Sequence, residues 1–276
     1  MAANPSPSRA TEAADERGGR RRSNTFFVRK AHRWLGLVIG IQFAVWTISG
    51  IYFAWTRLEN IHGDPLRAEA PRIPADVSLA SPQIALERIG GTEPVDSIVS
   101  LELVRVLGAP TWRIGYLTVE NGVAERRTHL ADAATGEPLP PLSREQAVVV
   151  AGEDAAFSAS VARVELLERG DIGPHHEFRG GPTPVWVIHW DHRSGARSYV
   201  PAEHGTVRTV RNTQWRIFDF FWMLHTMDYR TRDDFNNWLL RIMSVLAVVT
   251  IIAGFVLFVL TSRPYRRWLG RRKTAG

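Results

Sequence analysis

Residues 34–56 read WLGLVIGIQFAVWTISGIYFAWT and residues 242–261 read IMSVLAVVTIIAGFVLFVLT, two runs without an ionised side chain. Each supplies the roughly 20 apolar residues that a helix needs to cross about 30 Å of hydrocarbon. The spacing predicts transmembrane helices over residues 33–57 and 236–262. A soluble protein is excluded, although only 45% of the chain is apolar. The first run is too long for a cleaved leader, follows a basic polar segment and lacks a small-residue cleavage site.

The charges sort around these runs. Residues 1–33 carry eight Arg and Lys against three acids, and residues 262–276 carry six and none. The stretch between them holds 20 basic and 25 acidic residues. Basic flanks on the outer side of each span predict two cytoplasmic termini. Residues 57–237 are then expected outside the cytoplasm, as a periplasmic domain anchored in a bacterial inner membrane. The net charge of +6 therefore reports topology and not nucleic-acid binding. The absence of cysteine suits an oxidising compartment.

Residues 1–28, rich in Pro, Ala, Ser and Arg, read as a disordered cytoplasmic tail, and 263–276 as a basic one. Residues 58–81 read as a Pro-punctuated linker. Two units, 82–141 and 142–212, then run through the same order of a helix followed by strands. The first has a helix over 82–89 and strands over 98–107, 111–119 and 128–132, with a turn at Gly108-Ala109-Pro110. The second starts with a capping box, Ser143 with Gln146, and continues with strands over 161–167, 184–190 and 197–200. Each unit is expected to lay one helix on a small antiparallel sheet, giving an α+β outer domain between two membrane helices.

Ahead of the second span, Trp215, Phe218, Trp222, His225 and Tyr229 share one helical face, with Arg216, Asp219 and Arg230 opposite. That pattern predicts an amphipathic helix over 213–230 lying at the membrane surface. Thr231 and Asp234 offer a cap for the next helix.

Small residues line the first span. Gly36, Gly40 and Ala44 form one ridge that lets another helix approach closely, either the Ser244, Ala247, Thr250, Gly254 face or a second copy of the chain. His32 lies one turn before Gly36. Its imidazole is open to two readings, an axial haem ligand beside a glycine gap or an interfacial polar residue. No histidine lies inside either span, so a symmetric dimer would have to supply His32 twice. His62 and His225, both expected near the outer interface, form a more local pair. A separate group, His175, His176, His189, Asp191 and His192, could hold zinc, copper or iron, or could simply be solvated. Neither a phosphate-binding glycine loop nor a nucleophile motif is present.

The runs Lys30-Ala31-His32-Arg33-Trp34-Leu35-Gly36-Leu37, Thr47-Ile48-Ser49-Gly50, Ile61-His62-Gly63-Asp64 and Leu224-His225-Thr226-Met227-Asp228 resemble the PepSY-associated transmembrane-helix proteins of bacteria. The two helix-plus-sheet units, the first with Asp132-x-x-Thr135-Gly136, are similar to PepSY repeats. The resemblance covers residues 28–268. Larger members with four spans include iron-regulated proteins and ferric-siderophore reductases that carry haem between membrane histidines. It thus implies b-type haem on His32 and His225, in a dimer that rebuilds four helices or with a partner. It also implies an alternative, a non-catalytic anchored module that binds or inhibits a peptidase or another envelope protein through a sheet edge.

Overall fold

The computed structural model describes residues 9–262. Its elements run α1 (Arg9–Trp55), α2 (Leu58–His62), α3 (Pro82–Gly90), β1 (Ser97–Val106), β2 (Ala109–Glu120), β3 (Val123–Asp132), β4 (Pro138–Leu139) and α4 (Arg144–Asp154). They continue with β5 (Val161–Leu167), β6 (Val185–Trp190), β7 (Arg197–Pro201), β8 (Thr209–Arg211), α5 (Thr213–Thr226) and α6 (Trp238–Thr261). The chain is α+β, with antiparallel sheets between two helices long and apolar enough to span a membrane, His32–Trp55 and Trp238–Val259.

Helix α1 starts earlier than expected. Residues 9–28, read from composition as a disordered tail, continue its backbone helix. The segment holds three alanines with Glu and Arg, all strong helix formers that offset its glycine pair. Residues 1–8 and the basic tail 263–276 lie outside the described residues.

Two compact units emerge. One combines the chain up to Ile51, Met223–Tyr229 and the chain from Asp233, and the other combines Tyr52–Trp222 with Arg230–Arg232. In the first, α6 is capped by Asn237, whose Oδ1 accepts from Leu240 N at 2.8 Å. The cap is not at Thr231 or Asp234. Asp234 instead donates its own N–H to Asp228 in the preceding turn.

In the second unit, a helix followed by a four-stranded meander occurs twice. The sheet orders are β1-β2-β3-β4 and β5-β6-β7-β8. Helix α3 buries Ala85 and Ile89 against Ile114, Tyr116 and Ala131 of the first sheet. Helix α4 buries Ala147, Val150 and Ala151 against Ile188, Trp190 and Val200 of the second. The capping box at Ser143 and Gln146 forms at its start. The first sheet's hairpins turn at Leu107-Gly108 and Asn121-Gly122, each with two positive φ values. Such pairs match the right-handed twist of the flanking strands. The first turn therefore ends before Ala109, and β3 begins at Val123, five positions ahead of the expected strand.

The stretch expected as a plain linker is stitched down. Arg67 grips Asp154 at the end of α4 through Nε and Nη2 at 2.7–3.2 Å. Residue 67 also forms a β-bridge with Ala155.

Candidate functional site

The inward face of α1 repeats at helical spacing, with Ile39, Gln42 and Ser49 buried among the described residues of the membrane unit. Gly40 and Ala44 point the other way and are exposed. A Cβ added at Gly36 or Gly40 would meet nothing within 4 Å. The buried seam of α1 is thus a neighbouring stripe rather than the Gly36/Gly40/Ala44 ridge. Of the opposing small residues on α6, Ala247 is buried and Ser244 is exposed.

His225 closes the upper part of this seam. Its Nδ1 lies 2.8 Å from Ser49 Oγ, and its carbonyl accepts from Trp46 Nε1 at 2.8 Å. Ser49 Oγ also lies 2.8 Å from Val45 O. A hydroxyl has one proton, and spent on Val45 it leaves Ser49 accepting from His225 Nδ1–H. The lone pair then sits on Nε2, the tautomer a metal ligand needs. Burial lowers the basicity of His225, which favours the neutral ring.

His32 lies 17 residues before Ser49, so about 25 Å separates the two levels of a straight helix. Its Nδ1 is buried without a hydrogen-bond partner among the described residues. Its Cε1 stands 3.6 Å from where a Cβ on Gly254 would be, so the ring rests against bare backbone. Gln42 Nε2 is a second buried polar atom of α1 without a partner among the described residues. Two buried polar atoms left unpartnered within a span are costly, and each asks for a hydrogen-bonding or ligating group. Toward haem the fit is half a site per chain. His32 offers a ring nitrogen flanked by glycines, while His225 belongs to the other end of the span. His62 is exposed at the end of α2, in the other unit.

In the outer unit, the histidines weighed as metal ligands have separate engagements. His189 Nε2 sits 2.7 Å from Glu165 Oε1. His192 Nδ1 sits 2.7 Å from Ser194 Oγ, and its ring stacks on Phe157 at 4.5 Å. His176 Nδ1 accepts from Phe178 N, and His175 Nε2 lies 3.0 Å from Arg230 O. Asp191 is exposed just past the end of β6. Among the described residues no three His, Asp or Glu side chains converge as a metal-holding group. Strand β6 ends at Trp190, so Asp191 and His192 lie beyond it while His189 is held within it by Glu165.

The group that does converge was missed in the sequence. Glu177, 9% exposed, accepts from Tyr199 Oη at 2.6 Å, Arg197 Nη1 at 2.8 Å and Arg216 Nε at 2.8 Å. Its carbonyl accepts from Arg211 Nε, whose guanidinium lies 4.2 Å from the Trp215 ring centroid. Arg179 and Arg232 both donate to Asp219, which is 3% exposed. Burial and the Glu177 charge push the Tyr199 hydroxyl far above its usual range. Helix α5 therefore turns its polar side, Arg216 and Asp219, into the protein. Ile217 and Phe220 are exposed instead, and the helix stops at Thr226 before Tyr229. Glu177 and Asp219 pair with arginines of β7, α5 and the loops, so this polar side packs inward together with Trp215, itself 8% exposed, rather than facing away from it into solvent. No local spacing signals this, because the partners are 13 to 40 positions apart.

An α+β chain with two apolar spans and histidines at their packed face defines a class of membrane protein. The PepSY-associated TM region family matches residues 29–275, and the chain belongs to that family. No curated protein and no solved structure matches it.

Proposed function

We propose that the protein is a haem-binding redox component of the bacterial inner membrane that supports reduction of ferric iron or a ferric chelate outside the cytoplasm. In this reading both termini are cytoplasmic, the sheets are periplasmic, and a homodimer or partner completes the ligand set. The observation that carries it is the buried, unpartnered Nδ1 of His32 within the first span. Gly36 and Gly254 leave its flanks bare, and Ser49 and Trp46 hold the imidazole and carbonyl of His225 in place. Bound haem would supply one-electron transfer between the two levels. The open Gly40/Ala44 face of α1 is the surface on which a second copy would pack.

The test is an absorbance spectrum of the full-length protein in mild detergent before and after dithionite. The expected result is a Soret band and a sharpened α-band on reduction, lost in His32→Ala and reduced in His225→Ala. A flat visible spectrum in folded protein from haem-replete cells overturns the reading, as does full haem content in both variants.

A second reading has an observation of its own. β1 is an edge strand with Ile98, Val99 and Leu101 exposed, 54%, 42% and 42%. Such an edge suits addition of an extended peptide strand from an envelope partner or peptidase. Screening apolar peptides against the full chain tests it. Binding that survives Leu101→Lys counts against it.

A further inference from the structure

We propose that the open face of the first sheet is a binding site for a small oxyanion carrying two or more charges on carboxylate or phosphoryl groups. Residues alternate between the faces of a strand, and α3 covers only one face here. The other carries Ser100, Glu102, Arg113, Arg126 and Thr128, which floor a cavity of about 380 Å³. That volume is within the range of small-ligand sites. Register aligns the floor, with Ser100 opposite Gly115 and Gly115 opposite Thr128. A Cβ at Gly115 would stand 2.5 Å from Ser100 Oγ, so the glycine keeps that hydroxyl low and the floor clear. The far wall comes from the second half of the same unit, with Gly180, His204 and Arg208.

The charge decides the class of ligand. Arg113 is anchored, donating to Glu102, to Thr206 Oγ1 at 2.9 Å and to His204 O at 3.3 Å. Arg126 and Arg208 line the same cavity, are exposed, and have no acidic partner among the described residues. Three guanidiniums against one carboxylate leave two uncompensated positive charges. His204 adds none, since burial and the charges of Arg113, Arg208 and Arg126 pull its pKa down to about 4. It stands instead as a neutral ring in the wall of the same cavity. Guanidinium forks bind carboxylate and phosphoryl oxygens bidentately, and a concave setting holds them together. A ligand of two negative charges neutralises the cleft. This site does not depend on the haem reading.

Isothermal titration calorimetry on the full-length protein in detergent, at about 0.15 M salt, tests it with citrate and inorganic pyrophosphate as probes and glucose as the neutral control. Saturable binding of either anion, weakened at least tenfold in Arg126→Gln/Arg208→Gln, supports the site. Tighter citrate binding identifies carboxylates, and tighter pyrophosphate binding identifies phosphoryl groups. Ser100→Asp, which puts a negative charge on the floor, should weaken the same probe and serves if the double variant misfolds. No saturable heat at millimolar anion, or binding unchanged in either folded variant, overturns the proposal.

Discussion

Replacing Glu177 by Gln keeps the shape of the side chain and removes one charge from the buried network under the second sheet. Arg197, Arg216 and Tyr199 all point their donors at that carboxylate. Breaking a buried ion pair costs about 3–5 kcal/mol. Here the arginine side chains keep 39% and 30% of their surface, so solvent screens part of the loss. About 2–3 kcal/mol remains after that discount. For a unit of this size each kcal/mol moves the melting midpoint by about 2–4 °C, giving a fall of about 4–12 °C. Tryptophan fluorescence of the full-length protein reads it, because Trp215 stacks beside Arg211 in the network. Burial pushes the Glu177 carboxyl up, but the hydrogen bonds from Arg216 and Tyr199 and the charges of Arg216 and Arg197 outweigh it, so its pKa lies low. The unfolded chain then binds the proton first, and the stabilisation is present above about pH 4.3 and lost as pH falls through the folded value. The gap between wild type and Glu177→Gln should close in acid. A midpoint within about 1 °C of wild type at neutral pH, or a gap that widens in acid, refutes the reasoning.

Other perturbations follow from the same unit. Gly136 sits at φ +74°, and a Cβ there would stand 2.8 Å from Ile84 Cγ2. Gly136→Ala should lower the melting midpoint by several degrees, since a left-handed alanine costs about 1–2 kcal/mol before any clash; an unchanged midpoint contradicts it. His204 titrates at about 4 because of burial and the facing Arg113, Arg208 and Arg126, with Glu102 opposing weakly. Its unfolded form takes up a proton near pH 6.5 that the folded form refuses, so stability falls as pH drops from about 6.5 to about 4. His204→Asn should flatten that part of the thermal-stability profile, and a slope unchanged in the variant excludes His204 as its source.

The parts legible in the sequence are those written in local pattern. Two apolar runs gave the spans, Ser143 and Gln146 gave the start of α4, and Asp132-x-x-Thr135-Gly136 marked a real turn. There, Asp132 Oδ1 accepts from Ala134 N and Thr135 N. Asn121-Gly122 was an equally local hairpin signal, but the charged Glu125-Arg126-Arg127 that follows does not look like a strand. Alternation splits those charges between two faces: Arg126 lines the cleft, while Arg127 on the opposite face pairs with Glu93, Glu120 and Glu125. The Glu177 network was not legible, because ion pairing between distant residues leaves no period. Nor was the inward side of α5, since only the tertiary partners of Arg216 and Asp219 make burial of those charges possible.

One difference between the two sheets explains both the network and the cleft. Each sheet has its helix on one face and leaves the other to be dealt with. Between β1 and β2 the connection is the tight turn at Leu107-Gly108, so nothing from that hairpin reaches over the free face. Between β5 and β6 the connection is residues 168–184. That longer loop folds under the second sheet and brings Phe178 against Tyr199, their rings stacked at 4.7 Å, with Glu177 beside it. The second sheet's free face is thereby sealed by a carboxylate that its arginines need. The same loop then carries Gly180 and Pro182 to the wall of the first sheet's cavity. One insertion thus closes one basic face with an internal acid and encloses the other without supplying one. Arg126 and Arg208 are left for an anion from outside, much as Arg197 and Arg216 are served by Glu177 from within.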